Sequence, residues 1–249
     1  MTGDPSISFW SDSVENLMTA LETRGGLLVV PSAPALCSAE RSQVYWQAHV
    51  TADYAILDSG YLALLLRLSG KPANRISGLR FLQSFILDAN CPYPARQKRI
   101  LWVVPNDGEQ GRIDALLDRH GFAGQRQLFY QAPFYQTPDD MKAPELMEIL
   151  DREQPECIVL CIAGGKQEQV GYWIREHYGR RAPIICTGAA ISFLSGGQAN
   201  IPTWADRLYL GWFLRVLQDP KLYLPRYWQA AKMPYVLWKL QRRQPRLEK

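Results

Sequence analysis

The sequence predicts an α/β protein, a mostly parallel sheet with helices on both faces, followed by a helical C-terminal appendage. Three observations carry this. Short apolar runs without polar alternation, such as Ile158, Val159, Leu160 and Ile162, are typical of strands buried on both faces of a parallel sheet. These runs alternate with stretches at helical spacing, the signature of strand–helix–strand units. Near residues 201–204 the chain turns into a part rich in aromatic and basic residues.

The elements follow in order. "SDSVENLMTALETRGG" offers Ser or Asp as a cap, sets Val14, Leu17, Met18 and Leu21 on one face, and closes at Gly25 and Gly26. Strand "GLLVVPS" comes next, then helix "AERSQVYWQAHVTA" and strand "YAILDSG", ending at Asp58. "YLALLLRLSGK" and "ISGLRFLQSFILDAN" read as helices, "RILWVVPN" as a strand, "GRIDALLDRHGF" as a helix and "RQLFYQAPF" as a strand. Helix "APELMEILDREQP" leads into strand "CIVLCIAGG", a helix starts at about Lys166, and "APIICTGAA" is a further strand. The sheet is therefore Rossmann-like. Residues 1–200 form its core and 201–249 the appendage. Ligands of such sheets bind beyond the carboxyl ends of the strands.

Composition narrows the function classes. Of 249 residues, 47% are hydrophobic and 21% charged, the balance of a globular chain with a sizeable core. There is no apolar run of about 18 residues to span a membrane, and "MTGDPSISFW" lacks the basic start and apolar stretch of a secretion signal. Five cysteines without CxxC pairs read as buried thiols, with Cys157 and Cys161 in the core. His49, His120 and His177 have no metal-ligand spacing, so neither a metal nor any other cofactor is expected.

Two segments carry chemistry. "CIVLCIAGGKQEQ" runs a strand into Gly164 and Gly165 and then into Lys166, Gln167 and Glu168 at a helix start. A strand, a glycine turn and a helix N-terminus make a site for an anion or polar ligand. An ordinary turn is the alternative, and the Walker pattern is absent because Gln167 follows the Lys. The second segment is the tail. From Lys221 onward it holds eight Lys or Arg against one acid, interleaved with Tyr223, Tyr227, Trp228, Tyr235 and Trp238. That mixture suits an anionic membrane surface. No basic stripe or stacking motif elsewhere points to nucleic acid.

Three stretches in this order resemble the WecG/TagA/CpsF glycosyltransferases of bacterial surface-polysaccharide assembly. "ADYAILDSG" followed by "NRISG" is similar to the family's aspartate loop and its Arg-x-x-Gly. "AGGKQEQ" is similar to its Gly-x-Pro-Lys-Gln-Glu motif. "TGAAISFLSGGQANIPTWADRLYLGWFLRVLQDPKLYLPRY" resembles its C-terminal signature, with Pro202, Trp204, Trp212, Arg215, Pro220 and Arg226 in place.

The resemblance implies a metal-independent, inverting transfer of a sugar from a UDP-sugar donor, by family default UDP-N-acetylmannosamine, to a polyprenyl-pyrophosphate-linked acceptor. It implies a cytoplasmic enzyme, peripheral on the inner face of the membrane. Asp58 matches the family's essential aspartate and is the expected base; its rival reading is the cap of the next helix. Arg75 matches the family arginine, expected at the acceptor phosphate or the leaving group. Lys166, Gln167 and Glu168, with Gly164 and Gly165, are expected around the donor, and Thr187, Gly188 and Ala189 form another wall. Arg215 and Arg226 belong to the appendage that in the family folds over the site, where fixed guanidinium forks can hold a diphosphate without magnesium.

The chain departs from the family pattern at several positions. Val30, Pro31 and Ser32 stand where the family has Thr-x-Asn, so Ser32 is what remains of that contact. Gly165 replaces a proline, Arg80 an aspartate, Ile191-Ser192 a Phe-Asp pair, Asn200 an arginine and Gly211 a glutamate. These changes bear on the donor's identity. They open a second class of reading, a catalytically inactive member that binds a nucleotide sugar or a partner, against which the retained Asp58 and Lys166 to Glu168 favour an enzyme. A homo-oligomer stays open, because apolar helices used for self-association look like core.

Overall fold

The computed structural model describes residues 7–31, 36–37, 43–70, 73–135 and 143–197, with short pieces between 216 and 235. Ser32, Pro202, Trp204, Trp212, Arg215 and Arg226, and the boundary between residues 200 and 201, lie outside the described residues.

Six strands form one sheet: β1 (Gly26–Val29), β2 (Tyr54–Ala55), β3 (Ile100–Val104), β4 (Gln127–Gln131), β5 (Cys157–Leu160) and β6 (Pro183–Cys186). Their order is β2-β1-β6-β5-β3-β4 and every pairing is parallel, with Leu28 opposite Ile185 and Trp102 opposite Val159. The expected α/β architecture is thus present, and among the described residues the sheet is wholly parallel. A parallel pair needs a crossover, and the intervening helices supply it. These are α1 (Val14–Arg24), α2 (Gln43–Val50), α3 (Gly60–Leu68), α4 (Gly78–Leu82, continued by a π turn), α5 (Asp107–Arg119), α6 (Pro144–Glu153), α7 (Lys166–His177) and α8 (Ala190–Ser195). No helix of the described residues is long and apolar enough to cross a membrane.

The unalternating strands bury both faces. In β5, Cys157 and Val159 enter one core layer and Ile158 and Leu160 the other. The first layer joins Leu28, Trp102 and Ile185 to α1, α4, α5 and α8; the second joins Leu27, Val103 and Ile184 to α6 and α7. Helix α2 packs on α7. Strands β1 and β6 are neighbours whose following helices, α2 and α8, take opposite faces. Such a reversal opens a crevice at the carboxyl ends of the strands.

Two elements differ from the sequence reading. Helix α5 begins at Asp107, four residues before the expected Gly111, because the Asn106 side chain accepts a hydrogen bond from Glu109 N–H at 2.9 Å and caps the helix there. Strand β2 is two residues long; beyond it Leu57 pairs only with Arg75, as an isolated bridge. That bridge brings Arg75 beside Asp58.

Helix α7 lies unusually close to the sheet at Gly171. A Cβ there would stand 2.9 Å from both Cys186 Sγ and Leu27 Cδ1 and 3.2 Å from Leu160 Cδ1. Gly111, exposed in α5, has nothing within 4 Å of such an atom. Gly111→Ala should therefore stabilise the protein by ~0.5–1 kcal/mol through helix propensity alone. Gly171→Ala gains the same propensity but meets overpacking of ~1–3 kcal/mol, so the net change should be destabilising. Urea unfolding of the two variants checks this; a Gly171→Ala protein as stabilised as Gly111→Ala would show that the helix does not sit as closely as described.

Candidate active site

Of the sequence-predicted residues, the described ones lie along the carboxyl ends of β2, β6 and β5. At the β2 end, Asp58 Oδ1 accepts a hydrogen bond from Gly78 N–H at 2.9 Å, and Arg75 Nε donates to the Asp58 backbone carbonyl at 2.9 Å. The carboxylate is thereby aimed by the segment running from Arg75 to Gly78. Its other oxygen, Oδ2, accepts no hydrogen bond among the described residues. The cap of α3 is Ser59, whose Oγ accepts from Leu62 N–H at 3.2 Å, so Asp58 does not fill that role. A Cβ on Gly78 would lie 3.4 Å from Val30 Cγ1, 3.6 Å from Ala190 Cβ and 4.0 Å from Asp58 Oδ1. Gly78 is therefore the point where the Asp58 loop, the β1 end and the start of α8 come together.

At the β5 end, Gly165 has φ +92°, a conformation that favours glycine, and it caps α7. Gly165 N–H donates to Glu168 Oε2 at 2.6 Å, and Gln169 Nε2 donates to Gly165 O at 2.6 Å. Lys166 and Gln167 N–H both donate to the Ala163 carbonyl. The Gly165, Lys166 and Gln167 N–H groups are thus engaged within the turn, while Gly164 is exposed at its outer edge. Glu168 contributes to this by folding its carboxylate back onto the N-terminus of its own helix.

The side chains of Gln167 and Glu168 are only 3% and 1% exposed. Gln167 Nε2 donates to Glu168 Oε1 at 3.0 Å, while Gln167 Oε1 accepts from Gly188 N–H at 2.6 Å. What this segment presents outward is the backbone of Gly164 and Gly165, together with the partly exposed Lys166. Gly188 has φ +57°, and Thr187 beside it is buried, with no hydrogen-bond partner for its hydroxyl among the described residues. Ala189 is exposed and leads into Ala190, next to Gly78. The rim thus runs unbroken from Asp58 through Gly78, Ala190 and Gly188 to Gln167 and Gly165. Among the described residues no three His, Cys, Asp or Glu side chains gather as a metal site does.

Two groups escaped the sequence reading. Glu109, in the first turn of α5, accepts hydrogen bonds from Ser192 Oγ at 2.5 Å and Ser195 Oγ at 3.4 Å and pairs with Arg112, which ties α8 to α5. Burial pushes its carboxyl up, but the bonds from Ser192 and Arg112, the Arg112 charge and the Ser195 bond outweigh it. The group titrates below the ordinary glutamate range. The available signal was a carboxylate one residue past a strand-end turn. The second group is Tyr45 and His49 on α2. Burial, and then the charge of Glu168, raise the Tyr45 phenol, and α2 packs on α7, the helix that carries Glu168. His49 offers Nδ1 to the Tyr45 carbonyl at 2.8 Å, and its Nε2 is buried without a partner.

The model of the Glycosyl transferase WecG/TagA/CpsF family matches residues 6–249, nearly the whole chain. The chain belongs to that family and is a member of a glycosyltransferase family, which implies a nucleotide-sugar donor and an acceptor. No curated protein matches it.

Burial lowers the His49 imidazole from 6.5 to about 4, the hydrogen bond to Tyr45 opposing only in part. The folded protein therefore keeps a neutral ring where the unfolded chain binds a proton. The stability this contributes is complete above 6.5 and is lost as pH falls toward about 4. At ~1.4 kcal/mol per pH unit the loss amounts to about 3 kcal/mol. His49→Leu should lack this dependence, so denaturant unfolding of both proteins across that window should show the wild type falling more steeply. Parallel pH profiles would contradict the burial of His49 behind α7.

Proposed function

We propose that this member of the WecG/TagA/CpsF family transfers a sugar, with inversion and without a divalent metal, from a UDP-sugar to a polyprenyl-pyrophosphate-linked sugar. The donor is of the UDP-N-acetylmannosamine type, the product feeds a bacterial surface polysaccharide, and the enzyme works peripherally on the inner face of the cytoplasmic membrane. The observation that carries this reading is Asp58: a carboxylate at a strand end, with Oδ1 held by Gly78 N–H at 2.9 Å and Oδ2 unengaged among the described residues.

The chemistry follows from that arrangement. Oδ2 accepts the proton of the acceptor hydroxyl as its oxygen attacks the anomeric carbon from the side opposite UDP. The bond from the anomeric carbon to the β-phosphate oxygen breaks, and its electron pair leaves with the diphosphate. Because the N–H groups of Gly165, Lys166 and Gln167 are already engaged, that charge calls for cationic side chains as well. Lys166 at the start of α7 and Arg75, tied to the Asp58 backbone, are the described ones nearest the rim. Arg215 and Arg226 are assigned to the same task through the family signature. Thr187 to Ala189 and the residue at Ser32 complete the walls of the donor pocket. The hydroxyl and amide missing at Val30 and Ser32 leave that wall less polar than the family pattern, which bears on which sugar it accepts.

A panel of UDP-sugars incubated with a polyprenyl-pyrophosphate-linked acceptor in excess EDTA tests the reading. Product should form with one donor, and Asp58→Asn should keep UDP binding while lowering turnover by ~10²-fold or more. Donor binding without product under any condition would select the inactive reading. Activity abolished by EDTA and rescued by Mg²⁺ or Mn²⁺ would overturn the metal-free mechanism, and near-normal turnover of Asp58→Asn would remove Asp58 from the role of base.

A further inference from the structure

Helix α3, "GYLALLLRL", is apolar all round its axis apart from Arg67, a pattern expected of a helix covered on every side. Among the described residues only one side is covered: Leu62, Ala63 and Leu66 pack into a small core with Leu36, Leu57 and Met233, and Tyr61 and Leu65 lie partly buried against it. Between those two flanking residues, Leu64 and Leu68 form an outward apolar stripe at helical spacing. Leu64 is 54% and Leu68 76% exposed.

Met233 identifies what lies beside this stripe. It comes from the basic, aromatic tail and is fully buried in the α3 core, so the tail comes down on this helix. Around that anchor Trp228 and Tyr235 are exposed, as are Lys221 and Lys232, and α3 adds Arg67 from its own last turn. Exposed leucines on α3, over a core entered by a tail whose Trp, Tyr and Lys are also exposed, match the layered chemistry of an anionic lipid surface: apolar chains below, aromatic rings at the headgroups, cations against phosphates.

We propose that the outward face of α3 is a lipid-contact surface which, together with the tail, seats the protein on an anionic bilayer. This rests on the membrane-peripheral reading above and adds a second element to it, built from the α/β core itself. The consequence is positional. Asp58 lies two residues before the start of α3, a helix on the order of 12 Å long. An α3 resting on the bilayer holds that carboxylate near the headgroup layer, where the sugar of a lipid-linked acceptor emerges.

The test uses the full-length protein and vesicles of phosphatidylglycerol in phosphatidylcholine. Leu64→Glu/Leu68→Glu alters only exposed positions, so thermal unfolding and transfer to a water-soluble acceptor analogue should match wild type. Vesicle partitioning should fall about tenfold or more, and transfer to an acceptor embedded in vesicles should fall with it. If wild type binds vesicles and the double variant binds them equally, α3 is not a lipid contact and the tail alone anchors the protein. If wild type ignores vesicles even at low salt, the membrane reading itself is wrong. If the substitutions leave vesicle binding intact but dissociate an oligomer in sedimentation velocity, the stripe belongs to a second copy of the chain, and the proposal is overturned.

Discussion

The side-chain amide of Gln167 accepts a hydrogen bond from Gly188 N–H and donates one to the Glu168 carboxylate. Everything at the carboxyl edge of the central strands is referenced to this pair of contacts. Glu168 in turn holds Gly165 N–H, so two adjacent side chains link the turn after β5, the start of α7 and the turn after β6. Burial makes the link consequential. A donor or acceptor left unpaired there costs ~1–3 kcal/mol, more than the net worth of an ordinary exposed hydrogen bond. Burial also disfavours the charged form and keeps the Glu168 carboxyl raised, with Gln167 and the backbone N–H groups of Glu168 and Gly165 pulling the other way.

From that joint the rest of the rim can be followed by contact. Gly188 leads to Ala190, whose Cβ approaches Gly78, and Gly78 N–H aims Asp58. On the far side Glu109 grips Ser192 and Ser195, so α8 is fastened both to the sheet and to α5. The parallel sheet makes this possible. All its strands point the same way, so loops distant in sequence end on one edge, and short buried bonds can couple them. The outcome is a rim on which the Asp58 carboxylate, the proposed base, stands at an edge strand while its scaffold is set by the central ones.

Much of the fold was legible because it follows from local pattern. Unalternating runs such as "CIVL" and "PIIC", short and flanked by turn signals, read as two-sided strands, and Ser13 caps its helix where the apolar periodicity starts. The glycine at 165 and the helix start at Lys166 were equally readable. Less legible were the features that depend on distant partners. Nothing local distinguishes a Gln that faces ligand from one that bridges to residue 188. The pairing of Glu109 with Ser192 joins positions far apart in sequence, and the family pattern drew attention to 192 without indicating Glu109. The short β2 is the same lesson in backbone form: its apolar run continues, but past Ala55 the neighbour is a single bridge to Arg75 rather than a strand.

The central claim is that the Gln167 amide holds the donor side of the site in place. Gln167→Leu keeps most of the volume, removes both side-chain hydrogen bonds and leaves Gly188 N–H only its longer bond to the Leu160 carbonyl at 3.2 Å, so the direct measurement is amide hydrogen exchange at Gly188 alongside UDP affinity. The account predicts a protein that still folds, with exchange at Gly188 accelerated and UDP affinity reduced by about tenfold, the equivalent of ~1.4 kcal/mol. Wild-type protection at Gly188 together with wild-type UDP affinity would contradict it.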